Sequence, residues 1–300
     1  MGILSQGTSG DQMWMDYGQP QKKISLDEYS DGLARIAHDA YGQITHQDWV
    51  PLAMRETKLT LQRRTPNDER LAWARAIDAD IKDRLPRGLP EIYAREQILL
   101  HENPTAELKL QALRVGELGI AAIPNEVFGI TGLKLKAHSP LVPTFNIELA
   151  NGAEGYIPPP EQHKLGGYTT WPARTAALEP EAEPKIVEAV LGLLEKVSGK
   201  PRREPGSPPG PHAKTVLDAK PLAYWRLEEL AGPRAADASG NGSHGVYEDG
   251  VAFYLSGPGA AQLTGADRGE AMAQPRSLLN RCPHLAGGTL RADVKGLGRV

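Results

Sequence analysis

Upstream of Lys200, the apolar residues follow helical and strand-like spacings in turn. Ser25 to Glu28 reads as a capping box, and the apolar residues after it recur every three or four positions, which predicts a helix to about Ile44. Proline stands at the start of the next two helical patterns, where the first turn tolerates it. The predicted helices run from Ser25 to about Ile44, from Thr65 to about Leu85, from Leu89 to about Glu102, from Phe128 to Ala137 and from Glu183 to Val197.

Strand-like segments separate these helices. Leu52 to Leu61 alternates between apolar and polar residues, and Thr144 to Leu149 is apolar enough for a buried strand. Leu108 to Val115 and Leu118 to Ile123 flank the dipeptide Gly116-Glu117, which predicts a β-hairpin with a type II′ turn. Helices mixed with strands predict an α/β domain, or an α+β layered one, over residues 1–199.

The composition changes at Lys200. Lys200 to Pro211 contains prolines at positions 201, 205, 208, 209 and 211, which predicts an extended, semi-rigid linker over residues 200–215. Short strand-like runs follow at Val216 to Leu227, Gly245 to Tyr247 and Val251 to Leu255, with a turn cluster at Asp237 to Gly242. This pattern predicts an incomplete all-β domain of jelly-roll type over residues 216–300.

Bulk properties exclude several classes of function. The net charge of −3 gives no basic footprint for nucleic acid, and no apolar run reaches the ~20 residues that cross a bilayer. The single cysteine, Cys282, cannot form an intrachain disulfide. No phosphate-binding loop and no Gly-x-Ser-x-Gly elbow is present. Nucleotide and serine-hydrolase chemistry are therefore not indicated.

Candidate chemistry lies on loops that follow apolar strands. Glu126 follows a strand in the segment from Ile123 to Phe128, and Tyr156 closes a Gly-rich loop that begins at Asn151. Tyr168 comes twelve positions after Tyr156. Taken alone, Glu126 also suits the positive end of a helix dipole, and the two tyrosines also suit packing beneath a Pro-rich loop. Loops at strand ends often display polar chemistry on a rigid scaffold.

These segments resemble the neutral, non-lysosomal ceramidase family, whose members are zinc amidases. The resemblance implies that Glu126 and Tyr156 are Zn²⁺ ligands, and that Tyr168 donates a hydrogen bond to the oxyanion of the attacked amide. It covers residues 1–199, as the C-terminal portion of such a catalytic domain.

A turn near the beginning of the chain also resembles the family, in the run from Ser5 to Asp11. The resemblance implies that Thr8, Ser9 and Asp11 lie in a loop beside the active site. Met13 stands where most members of the family have a serine, which weakens the case for cleavage of ceramide itself and fits a changed substrate.

Histidine ligands are the missing part of the pattern. The family supplies two of them, yet none of the histidines of this chain forms His-x-His or His-Glu-x-x-His. We expect each to lie on the surface or in the linker, and we expect the chain as given to bind zinc weakly and to be inactive. The histidines are His38, His46, His101, His138, His163, His212, His244 and His284.

The segment after the linker has a resemblance of its own. Tyr224-Trp-Arg-Leu, the Asp237 turn and Gly245-Val-Tyr are similar to the opening of laminin-G-like, concanavalin-type domains. This implies a binding module over residues 216–300, with glycans or matrix components as its partners.

Together the resemblances imply a fragment of a multidomain, ceramidase-like zinc-dependent amide hydrolase. Its substrate would be an N-acyl lipid of the sphingolipid kind or another N-acyl small molecule, and its location extracellular or periplasmic. The alternative is a catalytically inactive ceramidase-like scaffold within an adhesion or carbohydrate-binding surface protein, which the Met13 position favours.

Overall fold

The computed structural model describes residues 4–13, 20–21, 23–82, 84–204, 209–247, 251–256, 281–285, 290–294 and 298–299. Helices and strands alternate through most of these ranges, so the chain has the mixed α/β character that its apolar pattern predicts. Among the described helices, none combines the length and the apolar content that crossing a bilayer requires.

The helices of the described residues are numbered in chain order. They are α1 (Leu26–Tyr41), α2 (Asp68–Ile81), α3 (Leu89–Glu102), α4 (Gly129–His138), α5 (Pro160–Leu165), α6 (Ala182–Ser198) and α7 (Pro211–Asp218). Short 3-10 turns lie at Tyr168–Thr170 and Arg174–Ala176. The predictions for α3 and α6 agree within a residue at each end. Helix α2 begins three residues after its predicted start at Thr65. Asn67 caps this helix, because its side chain accepts a hydrogen bond from the Arg70 N–H.

The strands are numbered in the same way. They are β1 (Leu52–Gln62), β2 (Thr105–Val115), β3 (Leu118–Ala122), β4 (Glu126–Val127), β5 (Thr144–Ile147), β6 (Tyr156–Ile157), β7 (Arg234–Ala235), β8 (Gly245–Tyr247), β9 (Val251–Ser256), β10 (Arg281–Leu285), β11 (Leu290–Val294) and β12 (Gly298–Arg299).

A four-stranded sheet in the order β1-β2-β3-β5 forms the centre of the N-terminal part. β1 and β2 pair antiparallel along their whole length, and the predicted hairpin joins β2 to β3 antiparallel. Gly116 has φ +63 at the first central position of the turn, as a type II′ turn requires, and Glu117 has no positive φ. β5 joins β3 in parallel, with Thr144 opposite Gly119.

One face of this sheet carries the hydrophobic core. Alternate residues of β2, among them Leu108 and Leu110, are fully buried beneath α6, which contributes Ile186, Val190 and Leu194. Burial of one such side chain contributes about 1.5–3 kcal/mol, so this layer is the main source of stability. Helix α4 belongs to the same layer, since it packs against α6 and β5. It follows β4 in the chain and so helps to fix the position of that strand.

Helix α1 stands apart from that core. Its capping box forms as predicted, with the Ser25 hydroxyl and backbone bonded to Glu28, and the helix ends at Tyr41 rather than near Ile44. None of its residues is buried, and Leu26 and Ile36 are 80% and 69% exposed. The helix therefore keeps its amphipathic pattern although none of its own side chains is buried.

Part of the predicted linker is docked rather than extended. Arg202 forms ion pairs with Glu188 and Glu195 of α6. The guanidinium of Arg203 donates to backbone carbonyls at the end of α4, those of Lys136 and Ser139. An arginine guanidinium presents several donors in a planar fork. Arg202 and Arg203 can therefore attach this part of the linker to α6 and α4.

The predicted strand from Val216 to Leu227 is wrong. Val216 lies in α7, which begins at Pro211 and turns Ala213 inward, where it is buried. Proline is tolerated at the first position of a helix, so Pro211 can begin α7. Trp225 lies outside the named strands, where its backbone forms an isolated β-bridge with Asp237.

The Asp237 turn forms as predicted and organises the segment around it. Burial raises the pKa of the Asp237 carboxyl, but hydrogen bonds from the Tyr224, Ser239 and Ser243 N–H groups and from the Ser239 hydroxyl outweigh this and lower it to about 2. The bonds hold Tyr224 beside the turn that leads to β8.

The remaining strands form small antiparallel arrangements. β9 pairs with β10, and a second sheet has the order β12-β11-β8-β7. All of these pairings are antiparallel. A jelly-roll arrangement of this segment stays a prediction.

Candidate functional site

The two shortest strands of the N-terminal part bring the predicted site residues together. β4 and β6 pair in parallel, and the register places Glu126 opposite Tyr156. Side chains of directly paired residues share one face of a sheet. The two side chains interact, because beyond the effect of burial, hydrogen bonding and negative charge from Glu126 both raise the pKa of the Tyr156 phenol. The backbone reinforces the pair, because the Glu126 N–H donates to the Gly155 carbonyl at 3.0 Å.

Tyr168 completes the cluster from a third segment. It opens the 3-10 turn after α5, and its ring lies edge-on to the Tyr156 ring with 5.8 Å between centroids and an interplanar angle of 77°. Its side chain is 54% exposed, whereas Glu126 and Tyr156 are partly buried. One carboxylate and two phenols therefore meet at the surface, although the chain separates the outer two by more than forty residues.

The local environment keeps Tyr156 protonated. Burial raises the pKa of its phenol, and the hydrogen bond and negative charge of Glu126 raise it further, to about 12. At neutral pH the Tyr156 phenol therefore keeps its proton and can act as a hydrogen-bond donor. A positive charge at this pair would reverse the effect, because it would favour both the carboxylate and the phenolate.

The N-terminal loop packs directly against β4. The Gly10 N–H donates to the Val127 carbonyl at 2.8 Å, and Asp11 accepts from the Gly129 N–H at 2.7 Å. Asp11 thereby caps α4, so its carboxylate is engaged with the positive end of that helix. A Cβ at Gly10 would lie 2.6 Å from the Glu126 carbonyl oxygen, so only glycine permits this approach.

The other members of this loop have separate positions. Ser9 donates hydrogen bonds to Glu148 from both its backbone and its hydroxyl. Thr8 packs on Gly132 of α4. Met13 is 60% exposed at the end of the loop. Thr8, Ser9 and Asp11 thus hold the loop beside Glu126 through contacts with β4, α4 and Glu148.

Glu148 is a residue that sequence reasoning missed. Its side chain is 4% exposed and accepts three hydrogen bonds, one of them from the Val127 N–H at 2.8 Å and two from Ser9. It joins the N-terminal loop to β4 and contributes to the negative field at Tyr156. The sequence signal for it was an acid at the end of the apolar run that begins at Thr144. An acid in such a run is a candidate for burial, and a buried carboxylate needs hydrogen-bond partners.

We expect Glu148→Gln to lower the free energy of unfolding by about 2 kcal/mol, because an amide replaces a charged acceptor and turns an NH₂ group toward existing donors. Urea denaturation measures the change. The control is Glu107→Gln, whose exposed ion pair with Lys58 should contribute less than about 1 kcal/mol. Equal effects of the two substitutions would show that Glu148 does not hold the loop.

The donor set for a metal ion is only partly present. Glu126 and Tyr156 offer two adjacent oxygen ligands, whereas zinc sites in proteins use three or four protein ligands. Within the described ranges, no group of three or more His, Cys, Asp or Glu side chains could hold a metal ion. These two residues fit a zinc site as part of its ligand set, and the described residues do not complete it.

The histidines occupy two kinds of position. His38, His46, His101, His212 and His244 are exposed, as expected, and the side chain of His284 lies outside the described residues. The expectation is wrong for His138 and His163, which are partly buried, and burial is the main cause that lowers the pKa of each. His138 lies at the end of α4, where its Nδ1 meets the Arg203 carbonyl at 3.2 Å, because the docked linker covers it.

Comparison with known proteins gives likenesses of structure alone. Neither the known family models nor the curated proteins match the chain. Neutral ceramidase from Pseudomonas aeruginosa is similar with a TM-score of 0.41 and 15% identity, over 69% of this chain and 39% of that one. A ceramidase complexed with C2 is similar with a TM-score of 0.37 and 13% identity, over 61% and 36%.

The chain thus spans less than two fifths of the length of either ceramidase. At such scores and identities neither likeness carries an argument about chemistry. What the candidate site can do has to be argued from its own side chains.

Proposed function

We propose that this chain supplies part of the active site of a ceramidase-like hydrolase that cleaves N-acyl amides. The observation that supports the proposal most is the meeting of Glu126, Tyr156 and Tyr168 on one surface through the β4–β6 register. These are the residues that the ceramidase resemblance singles out, and their spacing along the chain does not by itself require them to meet.

In this proposal each side chain has a distinct role. Glu126 and Tyr156 hold a zinc ion, with histidine ligands that come from outside the described residues. When bound, the zinc ion would supply Lewis acidity to the amide and to water. Tyr168 is 54% exposed and its ring is held against that of Tyr156, which suits a donor to the oxyanion that forms on the carbonyl.

The test uses the protein expressed from its whole reading frame, with zinc content and hydrolysis of fluorogenic N-acyl amides as readouts. Loss of one oxyanion donor costs about 10²–10³ in kcat, so we expect Tyr168→Phe to lower kcat by that factor and leave the zinc content unchanged. Glu126→Gln should instead lower the zinc content. The matched control is Tyr41→Phe, in the exposed helix α1.

Full activity of Tyr168→Phe would overturn the role of that residue. Unchanged zinc content in Glu126→Gln would overturn the metal site. For the chain as given we expect weak zinc binding and no turnover.

A second candidate is a catalytically inactive scaffold, which the presence of Met13 in place of a serine favours. In it the N-terminal part would serve an adhesion or carbohydrate-binding surface protein. Under both proposals the segment from residue 216 is a laminin-G-like module for glycans or matrix, and the location is extracellular or periplasmic. Zinc-dependent turnover by the whole protein would exclude the scaffold.

A further inference from the structure

A groove of about 690 Å³ lies beside the candidate site. It opens between the start of α2, the middle of α3 and the turn after Tyr168. Its lining includes Arg64, Arg70, Tyr93, Gln97 and Trp171. Gln97 is buried and donates to the Pro172 carbonyl at 2.8 Å, so the wall that carries Trp171 is held in place.

Aromatic rings connect this groove to the candidate site. The Trp171 ring lies edge-on to Tyr168 at 6.0 Å, and Tyr93 lies edge-on to Trp171 at 5.9 Å. Together with the Tyr156–Tyr168 contact, the four rings form a continuous arc. The groove therefore begins one ring contact from the proposed oxyanion donor.

The charge of the groove is strongly one-sided. Two guanidinium groups line it and no carboxylate does. Within the described part of the chain, neither Arg64 nor Arg70 forms an ion pair, although Asp68 and Glu69 adjoin Arg70 in sequence. Glu96 of α3, which adjoins Gln97 in sequence, is bound by Arg174. Cations without a carboxylate partner at a concave surface attract anions.

The two arginines differ in how their guanidinium groups are engaged. Arg64 donates to the carbonyls of Thr170 and Ala176 and thus supports the turn that contains Tyr168, while its buried Nε has no partner. Arg70 has its guanidinium stacked over the Trp73 ring, with 3.7 Å from Cζ to the ring centroid. Stacking of this kind leaves the N–H edge of the guanidinium available to a ligand.

We propose that the groove binds an anionic group of the substrate, a carboxylate or a phosphate. This rests on the proposed function and narrows its substrate to N-acyl compounds that carry such a group. Arg70 would hold the anion, Arg64 would add its positive charge, and Trp171 with Tyr93 would supply the apolar surface beside it.

Direct binding tests this without requiring turnover. Calorimetry of the full chain with N-octanoylglycine, its methyl ester and N-octanoyl-phosphoethanolamine compares a carboxylate, a neutral group and a phosphate on one acyl chain. We expect one or both anions to bind at least tenfold more tightly than the ester. Comparison of the carboxylate probe with the phosphate probe shows which anion the groove prefers.

Variants locate the site. Arg70→Met keeps an apolar stem over Trp73 and should abolish the preference for the anion, whereas Arg75→Met, on the same helix outside the groove lining, should keep it. Equal affinity for acid and ester, absence of binding by any probe, or equal behaviour of the two variants would overturn the inference. Anion-selective binding, together with no zinc-dependent turnover by the protein expressed from its whole reading frame, would leave the inference standing and remove the proposed function.

Discussion

Gly155→Ala lowers the free energy of unfolding by about 3 kcal/mol or more, the largest effect we expect from a single added methyl group. Gly155 has φ +74, and a Cβ there would lie 2.5 Å from the Thr175 carbonyl oxygen and 2.9 Å from that of Arg174. Both obstacles are backbone atoms, so they cannot move aside as a side chain would. The left-handed conformation costs about 1–2 kcal/mol and the overpacking about 1–3 kcal/mol.

Gly199→Ala is the control for this substitution. Gly199, at the end of α6, has φ +70 and ψ +13, and a Cβ there meets nothing within 4 Å. It should therefore show the cost of the left-handed conformation alone, about 1–2 kcal/mol. Urea denaturation of both variants separates the two contributions. Similar values would mean that the Gly155 contact with the Thr175 segment is loose in solution.

The consequence for the candidate site is direct. The Gly155 carbonyl accepts from the Glu126 N–H, and Tyr156 follows in the chain. A displaced residue 155 therefore disturbs both partners of the carboxylate–phenol pair at once.

Lys134→Met lowers the free energy of unfolding by about 3–5 kcal/mol, because it leaves a buried carboxylate without its cation. Glu183 is 1% exposed and accepts from the Lys134 ammonium at 3.0 Å and from the Thr131 hydroxyl at 2.8 Å. The pair joins α4 to the first turn of α6, so its loss loosens the layer that supports β4.

The test is a double-mutant cycle. Thermal and urea unfolding would give the stability of Lys134→Met, of Glu183→Leu and of the double variant. We expect the double variant to recover most of the loss, since replacement of both partners by apolar groups removes the uncompensated charge. Lys58→Met, which breaks an exposed pair with Glu107, is the control and should change stability by less than about 1 kcal/mol. Additive effects of the two buried substitutions would contradict the coupling.

Elements with local signals were predictable from the sequence. Pro90 fixed the start of α3, Gly199 ended α6 with φ +70, and Gly116 supplied the positive φ of the hairpin turn. In each case the conformation depends on one or two residues and their immediate neighbours. The capping box of α1 belongs to the same group.

Features that depend on distant partners were not predictable in this way. β4 and β6 are two residues long, too short for a periodic pattern, so the meeting of Glu126 with Tyr156 came from the resemblance alone. The docking of Arg202 on α6 and the burial of Glu148 depend on surfaces that the chain brings together only when folded. Local propensity also misjudged Val216, since a proline-led helix and a strand look alike over a few residues.

Helix α1 gives nothing to the interior, and this decides how it behaves in solution. A helix of 16 residues, none of them buried, is close to the limit at which an isolated peptide folds in water. Its population follows helix–coil statistics of its own, governed by the Ser25 cap and by temperature. Coil and helix can therefore interchange in this segment while the β1–β2 layer beyond it stays intact, so its opening and global denaturation are separate events.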